Sequence, residues 1–222
     1  MRYPQFFDAV APIIIHDPLA EFLGAVQGGL IEYRYIDAVR LAGHSCPTVA
    51  AAWTLTRRAL AALYGDAVPE RGAVRVEMHG DRVGGVTGVM ANVAALLTGA
   101  SDEAGFKGIG GRFDRRGLLF YAVELPLEMR FTRTDTAAAV DAGADLQRIP
   151  GDPLLRPLLQ RCIAGTATRV EAARFAELWQ ARVRRILLEH AEDDGAFVVQ
   201  PTRPVNELAS AASTSLPASV PV

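Results

Sequence analysis

Residues 42–78 read AGHSCPTVAAAWTLTRRALAALYGDAVPERGAVRVEM, and their pattern decides the fold class. Pro47 suits a first helical position, where a missing N–H costs nothing. From there Val49, Trp53, Leu60 and Leu63 recur at helical spacing, with Arg57 and Arg58 on the outer face. The helix runs from Pro47 to Tyr64 and Gly65 closes it. Ala73 to Met78 (AVRVEM) then alternates apolar and polar residues, which is the period of a strand. A long helix feeding an alternating strand calls for helices packed on a sheet.

Working outward, Asp17-Pro18 is a helix start, with a helix to about Gln27 that Gly28-Gly29 stop. Leu30 to Ala38 (LIEYRYIDA) is rich in branched and aromatic residues and reads as a strand. His79 to Gly88 is a glycine-rich turn leading into a helix from Val89 to Leu97, ended by Thr98-Gly99. Gly105 to Gly117 is a second glycine-rich loop. Leu118 to Leu125 and Glu128 to Thr132 read as paired strands, with Pro126 marking a turn or an edge. Beyond Thr134 the expectation is helical: Asp135 to Ala142, Pro153 to Ala164 and Thr168 to Ala191, with a short strand at Ala196 to Val199. From Pro201, Pro, Ser, Thr and Ala describe a flexible tail. The fold class is therefore α+β, a mixed sheet with packed helices, divided into a core (1–133), a helical extension packed on it (134–200) and a tail (201–222).

Composition bounds the function. The chain has 222 residues, half of them hydrophobic and 22% charged, enough for a substantial core. Net charge is −2, which argues against a sequence-independent nucleic-acid binder. The basic residues are 22 Arg and one Lys, Lys107, a bias that gives single arginines little functional weight. No apolar run reaches the ~20 residues that cross a bilayer, and no signal peptide is read. The expected compartment is the cytoplasm, without membrane or nucleic-acid partners.

Chemistry concentrates in four histidines and two cysteines. His44 and Cys46 share a loop that opens a helix, whose free N–H groups place positive partial charge beside the sulfur. Imidazole and thiol two residues apart form half of a zinc or soft-metal site. The structural alternative is a cysteine capping a helix beside a surface histidine. His79 follows a strand and precedes a glycine turn. If the strand units run parallel, it emerges at the same rim as His44; a turn hydrogen bond is the plainer role. His16 sits before a helix cap, His190 suits a helix C-terminus, and Cys162 lies among core leucines. The glycine loops fit neither a P-loop nor a dinucleotide fingerprint. They allow close approach to an anion or flat ligand, with Gly84, Gly85 and Lys107 as candidate contacts.

The order strand, Gly43-His44-Ser45-Cys46-Pro47, long Ala-rich helix and strand resembles the FmdE-like family, named for a component of formylmethanofuran dehydrogenase. Asn92 to Ala100 and Phe106-Lys107-Gly108 look like that family's following helix end and Gly-Lys-Gly loop, so the resemblance spans about residues 30–132. It implies an α+β domain, often a homodimer, that binds zinc through His44 and Cys46. The chain departs from the family at Ala42, Val89 and Ala100, where a histidine and two cysteines are missing, and it lacks the C-terminal zinc ribbon. The expected ligand set becomes His44, Cys46 and His79, with His16 able to close the fourth position. Asp81 is the candidate base, better placed than Glu77, whose strand position directs it away from His79. The expectation is a zinc-type metal protein, acting as a small enzyme or accessory protein on a small-molecule ligand. The alternatives are a module for haem or another planar cofactor, and a metal-free enzyme with Cys46 as nucleophile.

Overall fold

The computed structural model describes residues 3–202. The expected tail lies, beyond Thr202, outside the described residues. After a 3-10 turn at Gln5–Ala9 comes a small antiparallel hairpin, β1 (Ile13–His16) with β2 (Leu30–Tyr33), and α1 (Pro18–Phe22) lies within its connection. Asp17 starts α1 by accepting from the Leu19 and Ala20 N–H groups at 2.9 and 3.1 Å. The helix stops well short of Gln27. The strand expected to Ala38 ends at Tyr33, because α2 (Tyr35–Ala42) begins there. Asp37 caps it by accepting the Arg34 N–H at 2.9 Å. Tyr35, Ala38 and Val39 are compatible with a strand by composition, but their spacing also makes a helix face, and all three are buried.

α3 (Pro47–Tyr64) takes the expected bounds. Every residue from Val49 to Thr56 is buried, so it is the central helix. It packs on α2, on α4 (Thr87–Thr98) and on one face of the main sheet. That sheet has the order β4-β3-β5-β6-β7, formed by β3 (Val74–Met78), β4 (Leu119–Phe120), β5 (Met129–Arg133), β6 (Ala139–Ala144) and β7 (Phe197–Pro201). Only the β3–β4 pair is parallel. The two strands expected to pair with each other instead flank β3 on opposite sides, and the first is cut to two residues.

The helix expected over Asp135 to Ala142 is instead the turn and far strand of a hairpin. The Arg133 N–H donates to the Ala138 carbonyl at 2.8 Å and Ala137 takes a positive φ. Alanine-rich sequence favours a helix locally, but β6 has partners on both sides and Asp141 is gripped by Arg130. Residues 134–200 thus supply two of the five strands as well as α5 (Leu155–Ile163) and α6 (Arg169–Arg184). The boundary expected after residue 133 falls inside this β5–β6 hairpin. The apolar core is continuous through Phe131, Ile149, Val183 and Phe197.

The two sheet faces differ sharply. Val74, Val76, Met78, Met129 and Phe131 face the helices and are buried. The opposite face carries a cross-strand row of Glu77, Arg130, Asp141 and Gln200. Arg130 reaches Asp141 with two bonds, at 2.7 and 3.2 Å. No helix among the described residues is long and apolar enough to cross a membrane.

Candidate functional site

Helix direction places the candidate residues. The Thr98 carbonyl at the end of α4 accepts from the Gly72 N–H, and the Leu63 carbonyl near the end of α3 accepts from Arg133, the register partner of Val74. Both helices therefore finish where β3 begins and start where β3 ends. His44, Cys46, His79 and Asp81 all lie toward that rim.

The loop carrying His44 and Cys46 is held on several sides. Cys46 is the N-cap of α3, its Sγ accepting the Val49 N–H at 3.4 Å. Ser45 is clamped by α6: its carbonyl accepts from Trp179 Nε1 at 3.0 Å and from Gln180 Nε2 at 3.1 Å. The Ser45 hydroxyl donates to Gln180 Oε1 at 3.1 Å and lies 3.1 Å from the Tyr35 hydroxyl. Burial pushes that phenol far above its ordinary range, so Tyr35 stays a neutral hydrogen-bonding group. His44 is exposed, and its Nδ1–H donates to the Ala42 carbonyl at 2.9 Å. That bond sets the tautomer and leaves Nε2 as an outward-facing acceptor. A backbone carbonyl behind the ring is the usual support of a metal-ligating histidine.

The other expected ligands do not join this loop. His79 Nδ1 accepts from the Leu125 N–H at 3.4 Å, and the ring lines a pocket of about 400 Å³ with Leu125, Pro126, Glu128 and Val198. His16 Nε2 bonds Glu21 at 2.9 Å, and its other nitrogen lies 3.9 Å from Glu70, at the hairpin end of the molecule. Among the described residues no group of three or more His, Cys, Asp or Glu side chains is placed to hold a metal ion. Zinc as a centre built wholly from this set does not fit. Two ligands share a loop, and the remaining two face different surroundings.

Asp81 is exposed and its carboxylate accepts the Val83 N–H at 3.0 Å, capping its own turn. Glu77, expected to point away from His79, stands in the cross-strand row with Arg130. It is buried beside Arg75, with Oε2 lacking a partner among the described residues. Gly84 and Gly85 are exposed in the Asp81 turn. Lys107 is exposed, with no hydrogen bond or ion pair among the described residues. The second glycine loop closes on itself, since a Cβ at Gly108 would meet the Arg112 carbonyl oxygen at 2.2 Å.

Two strong features escaped sequence reading. One is the buried cluster of Asp17, Arg71 and Arg115, in which the Asp17 carboxylate accepts from Arg71 at 3.0 Å and Arg115 at 2.7 Å. Gly72 and Gly99, both at positive φ, leave space for the Arg115 guanidinium. The other is a cavity of about 540 Å³ at the end of α6, lined by Trp53, Thr54, Arg57, His190 and Asp193 among others. The spacing His190-x-x-Asp193 is a visible signal for it, but the π-type turn at Arg185–Glu189 that positions it is not. Compared with protein-family models and with curated proteins, the sequence matches none.

Proposed function

We propose that the protein is a metal-dependent homodimer, in which His44 and Cys46 from two copies together hold one zinc-type cation. The observation that carries this reading is the preorganised loop: His44 has its Nδ1–H committed to Ala42, and the Cys46 sulfur receives the Val49 N–H. Ser45 between them is clamped by α6, so both donors are held before any metal arrives. One chain supplies one nitrogen and one sulfur. A two-fold axis doubles that to two of each, the Cys₂His₂ set of a closed, four-coordinate zinc site. His44 is exposed and able to meet a second copy.

The test is metal content and mass measured together, on protein purified without a metal-affinity tag. The expected result is about half a zinc per chain and a dimer that a chelator dissociates, with both properties lost in His44→Ala and in Cys46→Ser. One zinc per monomeric chain would mean that other donors complete the site, which sinks the shared arrangement. No zinc after reconstitution would sink the metal reading. Rapid alkylation of Cys46 in that protein would then favour the thiol alternative.

A further inference from the structure

The second glycine loop is a small finger at the end of the molecule opposite the His44 loop. It follows α4, which finishes where β3 begins, and Arg112 to Arg115 line one hollow with Arg71 and Gly72, just ahead of that strand. Ile109 and Arg112 exchange both backbone hydrogen bonds, at 2.9 and 3.0 Å. Gly110 and Gly111 between them both take positive φ, as a two-residue hairpin turn requires. Residues 109–112 are all exposed. The base of the finger is fixed: the Arg115 N–H donates to the Phe106 carbonyl at 2.9 Å, and the Arg115 guanidinium is tied to buried Asp17 at 2.7 Å.

The finger sets exposed apolar side chains beside cations. Directly opposed residues of a hairpin point to one face, so Ile109 and Arg112 share a side. The Arg112 guanidinium lies 4.6 Å from the centre of the Phe113 ring and 5.9 Å from that of Phe22, and the two rings are 5.3 Å apart. Phe22 ends α1 and Leu23 follows it; they are 56% and 59% exposed, and Ile109 is 42% exposed. Lys107 and Arg112 are exposed and make no ion pair among the described residues. The neighbouring carboxylates are engaged elsewhere: Asp114 holds Arg116, and Glu21 and Glu70 face His16.

We propose that this finger, with the Phe22–Leu23 corner, docks on the surface of an anionic lipid bilayer. Aromatic and aliphatic side chains on an exposed tip enter the headgroup boundary, and Arg112 keeps its stem over the rings while its charge reaches the lipid. Lys107 and Arg112 supply the complementary charge, each cation being worth about fivefold in binding at such a surface. The contact is peripheral and local, since the chain as a whole carries a net charge of −2. A two-fold contact between copies through the same patch fits less well, because it sets these two cations against their own counterparts.

The test is co-sedimentation of the full chain with vesicles of phosphatidylcholine alone and of phosphatidylcholine mixed with phosphatidylserine. A chelator is present throughout, so the outcome does not depend on the metal reading. The expected result is binding to the mixed vesicles that weakens as salt rises, and roughly twentyfold weaker binding to phosphatidylcholine alone, the product of two cations. Lys107→Gln combined with Arg112→Gln lowers mixed-vesicle binding by the same factor, and Ile109→Ser lowers it by about fivefold through lost apolar contact. Ile109→Trp places a fluorophore at the tip, and its emission, after subtraction of the wild-type signal, moves to the blue on mixed vesicles. Val170→Trp, at an exposed position on α6, stays unmoved. All four positions are exposed, and matched thermal melting of the variants checks that each is folded. Equal binding to both vesicle types, unchanged binding in the double variant, or a blue shift at Val170→Trp and none at Ile109→Trp overturns the proposal. Absence of binding to either vesicle also overturns it; self-association lost in Ile109→Ser would then make the patch a contact between copies.

Discussion

Replacing Asp17 by Asn tests the most concentrated interaction in the molecule. The residue is 3% exposed and its carboxylate accepts four hydrogen bonds, two from the first turn of α1 and two from arginines. Asparagine keeps one carbonyl oxygen for the helix start, so the capping contribution of ~1 kcal/mol is largely retained. What it removes is the charge opposite Arg115, which is itself 5% exposed and pinned between Gly72 and Gly99. Removing one partner of a buried ion pair costs about 3–5 kcal/mol. Arg71 is partly exposed and recovers some solvation, which places Asp17→Asn near ~3 kcal/mol. For a domain of this size that lowers Tm by roughly 6–12 °C. Arg115→Met is expected to cost less, because Asp17 keeps Arg71 and both backbone donors. The double variant is expected to cost well under the sum, since it leaves no unpaired buried charge.

The sign of the pH dependence follows from the same contacts. Burial pushes the Asp17 carboxyl upward, but the Ala20 N–H and the Arg71 and Arg115 guanidinium groups outweigh it and hold it below its ordinary value. A depressed folded-state carboxyl stabilises above the unfolded value, near pH ~4, and that stability is lost as pH falls through the folded value. The gap between wild type and Asp17→Asn is therefore full at about pH 6 and shrinks on acidification. The assay is denaturant unfolding of the four proteins at about pH 6 and about pH 3, on either side of the unfolded value. A cost below about 1 kcal/mol for Asp17→Asn, or strict additivity with Arg115→Met, would refute the reasoning.

Gly99→Ala is expected to cost about 2–3 kcal/mol, from a positive φ combined with a Cβ only 2.4 Å from Arg115 Nη1. Gly43→Ala has a similar φ but open space, and thermal unfolding should show only ~1 kcal/mol there. Trp179→Phe removes one donor to the Ser45 carbonyl; denaturant unfolding should show a loss of ~1 kcal/mol with an unchanged slope. Hydrogen exchange at residues 43–46 should accelerate in the same variant, and an unchanged rate would mean that Gln180 alone holds the loop.

Local chemistry made several elements legible. Pro47 and Gly65 bound a helix whichever way the rest folds, because one ring fits only a first turn and one residue tolerates the closing turn. Asp17 before Pro18, alternation over Val74–Met78 and the Gly99 stop likewise act within a few residues. The His44–Cys46 loop is visible for the same reason, since two ligand types two residues apart need no tertiary information.

Elsewhere the deciding partners are distant in the chain. Asp135 to Ala142 carries four alanines and suits a helix locally, yet β5 and β7 claim its second half as β6 from either side, and local preference cannot outweigh two ladders. Tyr35, Ala38 and Val39 suit a strand or a helix, and burial against Trp53 and α3 selects the helix. The expected ligand set fails as a set because spacing along a chain says nothing about which way two side chains face. His79 turns to the β5–β6 side while His16 stays with Glu21 at the hairpin. The Asp17–Arg115 pair joins residues 98 apart, and the Trp53–His190 cavity joins α3 to the end of α6. Both exist only because the core brings those surfaces together, which is information that no local stretch carries.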